Sequence, residues 1–338
     1  MRSFVVVVVL LACALVASVP AVSARATPAL AGRVAGTVPK GSVWEGHWQQ
    51  RMAALRADPS LALEFYIYGE LGSEEAVLGN LRRNRVQIAS GSLWGLAALV
   101  PEVAVLSLPY LFESAAEADY VYDCCAAGIV APYLAAAGYR FLGWSEAGWT
   151  NFYGRTPLRE PADVRGRKLR TPATASVSAF FRDLGIDTVF VPINDVVPAL
   201  QTGLVEGGAS SLPWYFNAFR AHAPHYTLTE HHYEATVLLA NADWFATATP
   251  AQQALLARAF GGFAAQRETV RRDFAAKIEQ MKAEGAGIHA LSPEQRARWI
   301  AAARATHPRI LQEIGGRAEQ VYAEVMKAKA AFRARAAE

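Results

Sequence analysis

Cysteine is scarce in this chain, charge is modest, and no long uncharged apolar run follows the N-terminal segment. Only three cysteines occur among 338 residues. Cys13 lies in the N-terminal apolar stretch, which leaves Cys124 and Cys125 side by side. Sequence neighbours make a poor disulfide framework, and no histidine or cysteine is spaced to complete a zinc site with them. They are expected as a buried, inert pair on a helix, since cysteine packs as a small hydrophobe. The net charge of +3 is too weak to draw in nucleic acid, and no basic run is interleaved with aromatics. Phosphate-loop, dinucleotide and nucleophile-elbow signatures are missing where a strand, turn and helix would need them. No serine or aspartate pairs with a histidine at a recognisable spacing. The reading is therefore not an enzyme, with no cofactor and no metal.

What is present begins with an export signal. Met1-Arg2 is a short positive start, Phe4 to Ala17 is apolar, and Ala21-Val22-Ser23-Ala24 offers small residues to a signal peptidase. Residues 1–26 read as a cleaved signal peptide, which sends the mature chain to the periplasm. The apolar run is short against the about 20 residues a spanning helix needs, which disfavours an uncleaved anchor. The residues after Cys13 stay apolar, which disfavours a lipoprotein site. The full sequence is 53% apolar, enough for a substantial core, and the mature chain is long enough to expect two lobes.

Periodicity gives the fold class. Arg33 to Val38 and Leu61 to Tyr68 read as strands. Between them Trp44, Trp48, Met52 and Leu55 mark a helix from about Val43 to Arg56. Ser73 caps a helix with Glu74 and Glu75 in its first turn, and Val86 to Ala89 is the next strand. The same alternation returns at Lys168–Arg170, Ala175–Leu184, Thr188–Val191, Asn194–Gly203 and Glu206–Ala209. Alternating strands and helices predict α/β lobes built on a largely parallel sheet. From Pro250 to Glu338 the chain reads as almost wholly helical, broken at the Gly285–Gly287 pair and at Pro293. No repeat or low-complexity linker is visible, so the lobes are expected to exchange chain through several crossovers.

Open α/β sheets bind ligands at the carboxyl ends of their strands. That singles out Ser42, Ser90, Ser92, Arg170, Ser210 and Ser211, which offer hydroxyls and one guanidinium to a small polar solute. An arginine fork can grip a carboxylate through two parallel bonds, although a surface salt bridge is the commoner fate of an arginine. Trp149 and Trp214 follow strand ends and read as pocket residues. Trp94 and Tyr215 stand near turns and join them, whereas Trp44 and Trp48 form a helical stripe that reads as packing. His222, His225, His231 and His232, with Glu230 and Glu234, fit no standard metal spacing and read as an exposed polar loop.

Several segments carry a resemblance. Gly166-Arg167-Lys168-Leu169-Arg170-Thr171-Pro172, Gly36 to Trp44, Tyr68 to Gly72, Leu106 to Phe112 and Ala199 to Gly207 stand in order along the mature chain. Together they resemble the TRAP transporter solute-binding proteins of the DctP type. The resemblance implies a periplasmic-binding-protein-like fold, with a ligand cleft between two lobes and a long helix shared by both. Lobe I would take residues 27–147 and about 238–276, lobe II 148–237 and about 277–338. It also implies a permease partner with small and large membrane subunits, and a ligand carboxylate on Arg170. One departure stands out. Many acid-binding members carry a second arginine in the strand that here reads Gly148 to Tyr153, and none stands there; Arg155 follows it, outside the expected cleft. The favoured ligand is thus one carboxylate on an apolar or aromatic body. The alternatives are a wholly apolar ligand or a sensor or accessory role.

Overall fold

The computed structural model describes residues 28–336; the signal-peptide segment lies outside them. Nine strands form one sheet: β1 Leu30–Ala35, β2 Leu61–Tyr66, β3 Ile88–Ser92, β4 Tyr139–Gly154, β5 Lys168–Thr171, β6 Asp187–Phe190, β7 Gly207–Ser210, β8 His225–Asn241 and β9 Gly287–Ala290. β1 sits between β2 and β3, parallel to both. β3 then pairs antiparallel with the C-terminal half of β8, from Ile88 opposite Ala240 to Ser92 opposite Thr236. On the other side β7 pairs antiparallel with the end of β4, and β5 and β6 continue in parallel. β9 runs parallel to the start of β8.

The two long strands β4 and β8 join these halves. They pair antiparallel from Tyr139 opposite Asn241 to Gly154 opposite His225, with register shifts after Phe141, Glu146 and Thr150. The first two shifts each add one residue to β4 and are bulges, which bend the strand and sharpen its twist; at the third, residues 228–231 of β8 leave the pairing opposite Asn151. At the middle one Gly148 takes a φ of 75°, a left-handed conformation that side chains disfavour. The helix Phe263–Ala283 runs along the junction. Its Val270 belongs to the core built on β1 and the first helix, Met281 to the core around Tyr153 and Tyr226, and Phe274 packs against both. The fold is two-lobed, with one end of the continuous sheet in each lobe and a long helix common to both.

The first helix spans Val43–Arg56, and Ser42 caps it by accepting from the Glu45 N–H. Its buried face is Trp44, Trp48, Arg51 and Leu55, which puts an arginine where the apolar spacing suggested Met52. Ser42 is buried and also donates to the Pro39 carbonyl at 2.6 Å. Ser42→Ala should therefore cost about 1 kcal/mol of stability and leave ligand affinity unchanged. Urea titration and calorimetry of the one variant check both halves of that expectation.

Two expectations do not hold. Cys124 and Cys125 are joined to each other as a disulfide, with Cys124 exposed and Cys125 half-buried in a π-helical turn, so they are not an inert buried pair of thiols. From His225 onward the histidine-rich segment is no exposed loop: it is β8, and His231 and His232 are fully buried in the middle of the sheet. The break expected at Gly285–Gly287 in the C-terminal helical region is occupied by the short strand β9.

Candidate functional site

The carboxyl ends of β1, β3, β5 and β7 converge on one cavity of about 80 Å³. Thr37 and Val38 follow β1, while Ser90, Gly91 and Ser92 end β3. Arg170 and Pro172 stand at the end of β5, and Ser210 and Ser211 at the end of β7. Strand ends bring these residues together because parallel strands finish with their backbone groups facing the same gap. Four tryptophans complete the wall: Trp44 and Trp48 from the first helix, Trp94 from the short helix Leu93–Ala97 after β3, and Trp214 after β7.

Arg170 is 5% exposed. Among the described residues it makes one hydrogen bond, from Nε to the Val191 carbonyl at 2.8 Å, and no ion pair. That contact fixes the plane of the guanidinium and leaves its terminal N–H groups without a protein acceptor. Burial lowers its pKa, while Glu74, Glu75 and Glu234 oppose that fall.

Those carboxylates share the cavity. Glu74 accepts from the Ser92 N–H at 2.6 Å and the Ser92 hydroxyl at 2.7 Å. Gly95 makes room for it, since a Cβ there would collide with the carboxylate. Burial pushes the Glu74 carboxyl above its usual range, against the two Ser92 bonds. Glu234 is 5% exposed, and its Oε1 has no partner. Burial, helped by the nearby Glu74 charge, raises its pKa to about 8. A second arginine, Arg51, also lines the space; it donates to the Ala259 carbonyl at 3.3 Å, and burial lowers its pKa to about 10. The arrangement can hold a small solute by ion pairing, hydrogen bonds and aromatic contact. No cluster of metal-binding side chains occurs among the described residues.

The structure thus brings Arg170, Ser90, Ser92, Trp94, Ser210, Ser211 and Trp214 to one wall. Three other candidates lie elsewhere. Ser42 is a helix cap. Trp149 packs edge-on against Tyr233, with ring centroids 5.1 Å apart, on the face of β4 away from the cavity. Tyr215 is in the core, stacked on Tyr226 at 4.2 Å. Trp44 and Trp48 do pack in the core, but each also contributes to the cavity. Sequence reasoning misses Arg51, Glu74 and Glu234 as site residues. Arg51 carries a usable signal, because it falls on the same helical face as Trp44 and Trp48.

Residues 37–313 match the DctP family, described as bacterial extracellular solute-binding protein, family 7. The chain belongs to that family. A solute-binding protein of Verminephrobacter eiseniae is 28% identical over 248 residues, covering 72% of this chain and 73% of the relative. The C4-dicarboxylate-binding periplasmic protein DctP of Rhodobacter capsulatus is 25% identical over 311 residues, covering 90% and 92%. Among solved structures, the sugar acid binding protein DctPAm from Advenella mimigardefordensis in complex with galactonate superposes with a TM-score of 0.81 at 23% identity, covering 89% of this chain and 99% of that one. This DctP chain is accordingly a solute-binding protein of the extracytoplasmic type. Among its described residues no helix is long and apolar enough to cross a membrane.

Proposed function

We propose that this protein is the periplasmic receptor of a TRAP-type uptake system, which captures a small monocarboxylate and hands it to a permease with small and large membrane subunits. One observation carries the ligand class: a buried guanidinium at the cavity wall whose only side-chain bond among the described residues is through Nε. A carboxylate supplies the planar pair of acceptors that the two free edges call for. Galactonate, which the structurally similar protein of Advenella mimigardefordensis holds in its complex, is itself a carboxylate.

The apolar part of the ligand would rest against Trp44, Trp48, Trp94 and Trp214. Burying apolar area stabilises a complex by about 25 cal/mol per Å². A second carboxylate finds less support, because Glu74, Glu75 and Glu234 already face Arg170. Monocarboxylates with branched or aromatic bodies should therefore bind more tightly than succinate or malate. Thermal denaturation tests this: a cognate acid at about 100-fold excess over its dissociation constant should add roughly 2.7 kcal/mol of stability. A broad acid screen without any shift, or tighter binding of the small dicarboxylates, contradicts the reading.

A further inference from the structure

The cavity holds carboxyl groups that a plain organic acid would leave without a partner. Glu74, Glu75 and Glu234 line it together with two guanidiniums, Arg170 and Arg51, and among the described residues none of the three forms an ion pair with either. Burial holds Glu234 protonated near neutral pH in the empty site, and a ligand cation beside it would favour the ionised carboxylate. The third carboxyl, Glu234, is more than nine-tenths buried and keeps one oxygen without a partner. An unpartnered buried acceptor costs stability in the empty protein, and a ligand donor would relieve it. The tryptophans beside it suit a positive group too, because the faces of indole rings attract cations.

We propose that the solute is a small zwitterion, its carboxylate on Arg170 and its ammonium or iminium group on Glu234, with Glu74 adding negative potential. The inference rests on the carboxylate role of Arg170 and goes beyond it by giving the ligand a positive end. It divides the work between the lobes, because Arg170 comes from β5 in one and Glu74 from the helix after β2 in the other. A carboxylate alone then satisfies only one wall. A zwitterion satisfies both, and so ties ligand identity to the closed arrangement. Glu234 sits on β8, the strand the lobes share.

The test uses three matched sets of compounds: leucine, 4-methylpentanoate and 3-methylbutylamine; phenylalanine, 3-phenylpropanoate and 2-phenylethylamine; proline, cyclopentanecarboxylate and pyrrolidine. Within at least one set the zwitterion should bind the wild-type protein at least about 30-fold more tightly than its deaminated acid. Glu234→Gln should remove that preference, weakening the zwitterion by about the same factor and changing the acid less than about threefold. Calorimetry in buffers of different ionisation heat gives a readout that needs no variant. A carboxyl that is protonated in the empty site must release its proton when an ammonium arrives, up to about one per ligand near neutral pH. Equal binding of zwitterion and acid, an unchanged preference in Glu234→Gln, or no binding of any zwitterion overturns the inference. In the first two cases the carboxylate reading still stands if Arg170→Ala weakens the acids. Amines that bind as well as zwitterions, indifferent to Arg170→Ala, overturn the carboxylate reading itself.

Discussion

Replacing Arg170 with alanine is expected to weaken carboxylate binding by roughly 30-fold to several thousand-fold. The guanidinium is buried, held through Nε by the Val191 carbonyl, and presents its other N–H groups to the cavity. Truncating one partner of a desolvated charge pair typically costs about 2–5 kcal/mol, much of it from leaving the other charge unpaired. Arg170→Lys should also bind poorly, because an ammonium is a point charge and cannot reproduce the planar fork. Arg155→Ala is the control. That side chain is exposed on a turn, outside the cavity, and donates to the Leu200 carbonyl at 2.7 Å. Calorimetric titration of the three variants, with circular dichroism to confirm folding, decides the matter. A folded Arg170→Ala that binds within about threefold of wild type removes the anchor role and favours a wholly apolar ligand.

Acid should destabilise the empty protein steeply, and the buried histidines of β8 are one cause. Among the described residues His232 has no partner at either ring nitrogen, and His231 is bonded only through Nδ1 to the Thr229 hydroxyl at 2.7 Å. Burial lowers the His232 pKa to about 3 and holds His231 well below its ordinary value. As pH falls below about 6.5, the unfolded chain takes up protons that the folded chain refuses, so stability drops with pH. For His232 the slope is about 1.4 kcal/mol per pH unit, which makes on the order of 3 kcal/mol by pH 4.5, and His231 acts in the same direction. Glu234 acts in the opposite sense. Its raised pKa lets the folded state bind the extra proton between about 4.5 and 8, so its contribution grows as pH falls through that window. The phenylalanine variant His232→Phe isolates one term. Its stability relative to wild type should rise by about 1.4 kcal/mol for each pH unit between 6 and 4. A stability difference between variant and wild type, measured by urea denaturation, that stays constant across that range would show that His232 takes up its proton in the folded state as readily as in the unfolded chain.

The elements legible in the sequence are those whose signals are local. Val43–Arg56 begins at a serine cap and ends where its periodicity does, and Ser73 opens the next helix as its first-turn glutamates suggest. β8 is not legible, because His231, His232, Tyr233 and Glu234 look like a surface stretch. Their burial is set by partners distant in the chain: Trp94 meets the His232 ring edge at 5.7 Å, and Phe152 stacks on His231 at 4.4 Å. The site divides in the same way. Strand-end logic reaches Arg170 and the serines, since it needs only the fold class. It cannot tell Trp149 from Trp214, because the bulges of β4 decide which way each of its side chains turns. Glu74 reads as a helix-start acid, a role any first-turn glutamate fills, and only the fold sets it against Ser92 and within reach of Arg170's field.

The continuous pairing of β4 with β8 limits which sequences can keep this architecture. A loose linker between lobes tolerates added or lost residues. A paired strand does not, because a one-residue slip turns every following side chain to the opposite face. Deleting a residue from the regular stretch Phe152–Gly154 would misplace the tail of β4 against both Tyr226 and Gly208. Length change within these strands is therefore confined to the three register shifts, where unpaired residues are already present. Variation in ligand preference, by contrast, can proceed one substitution at a time, since the cavity draws its wall from strand ends and turns scattered over the chain. The spine of this protein is conservative in length, and its wall is free in composition.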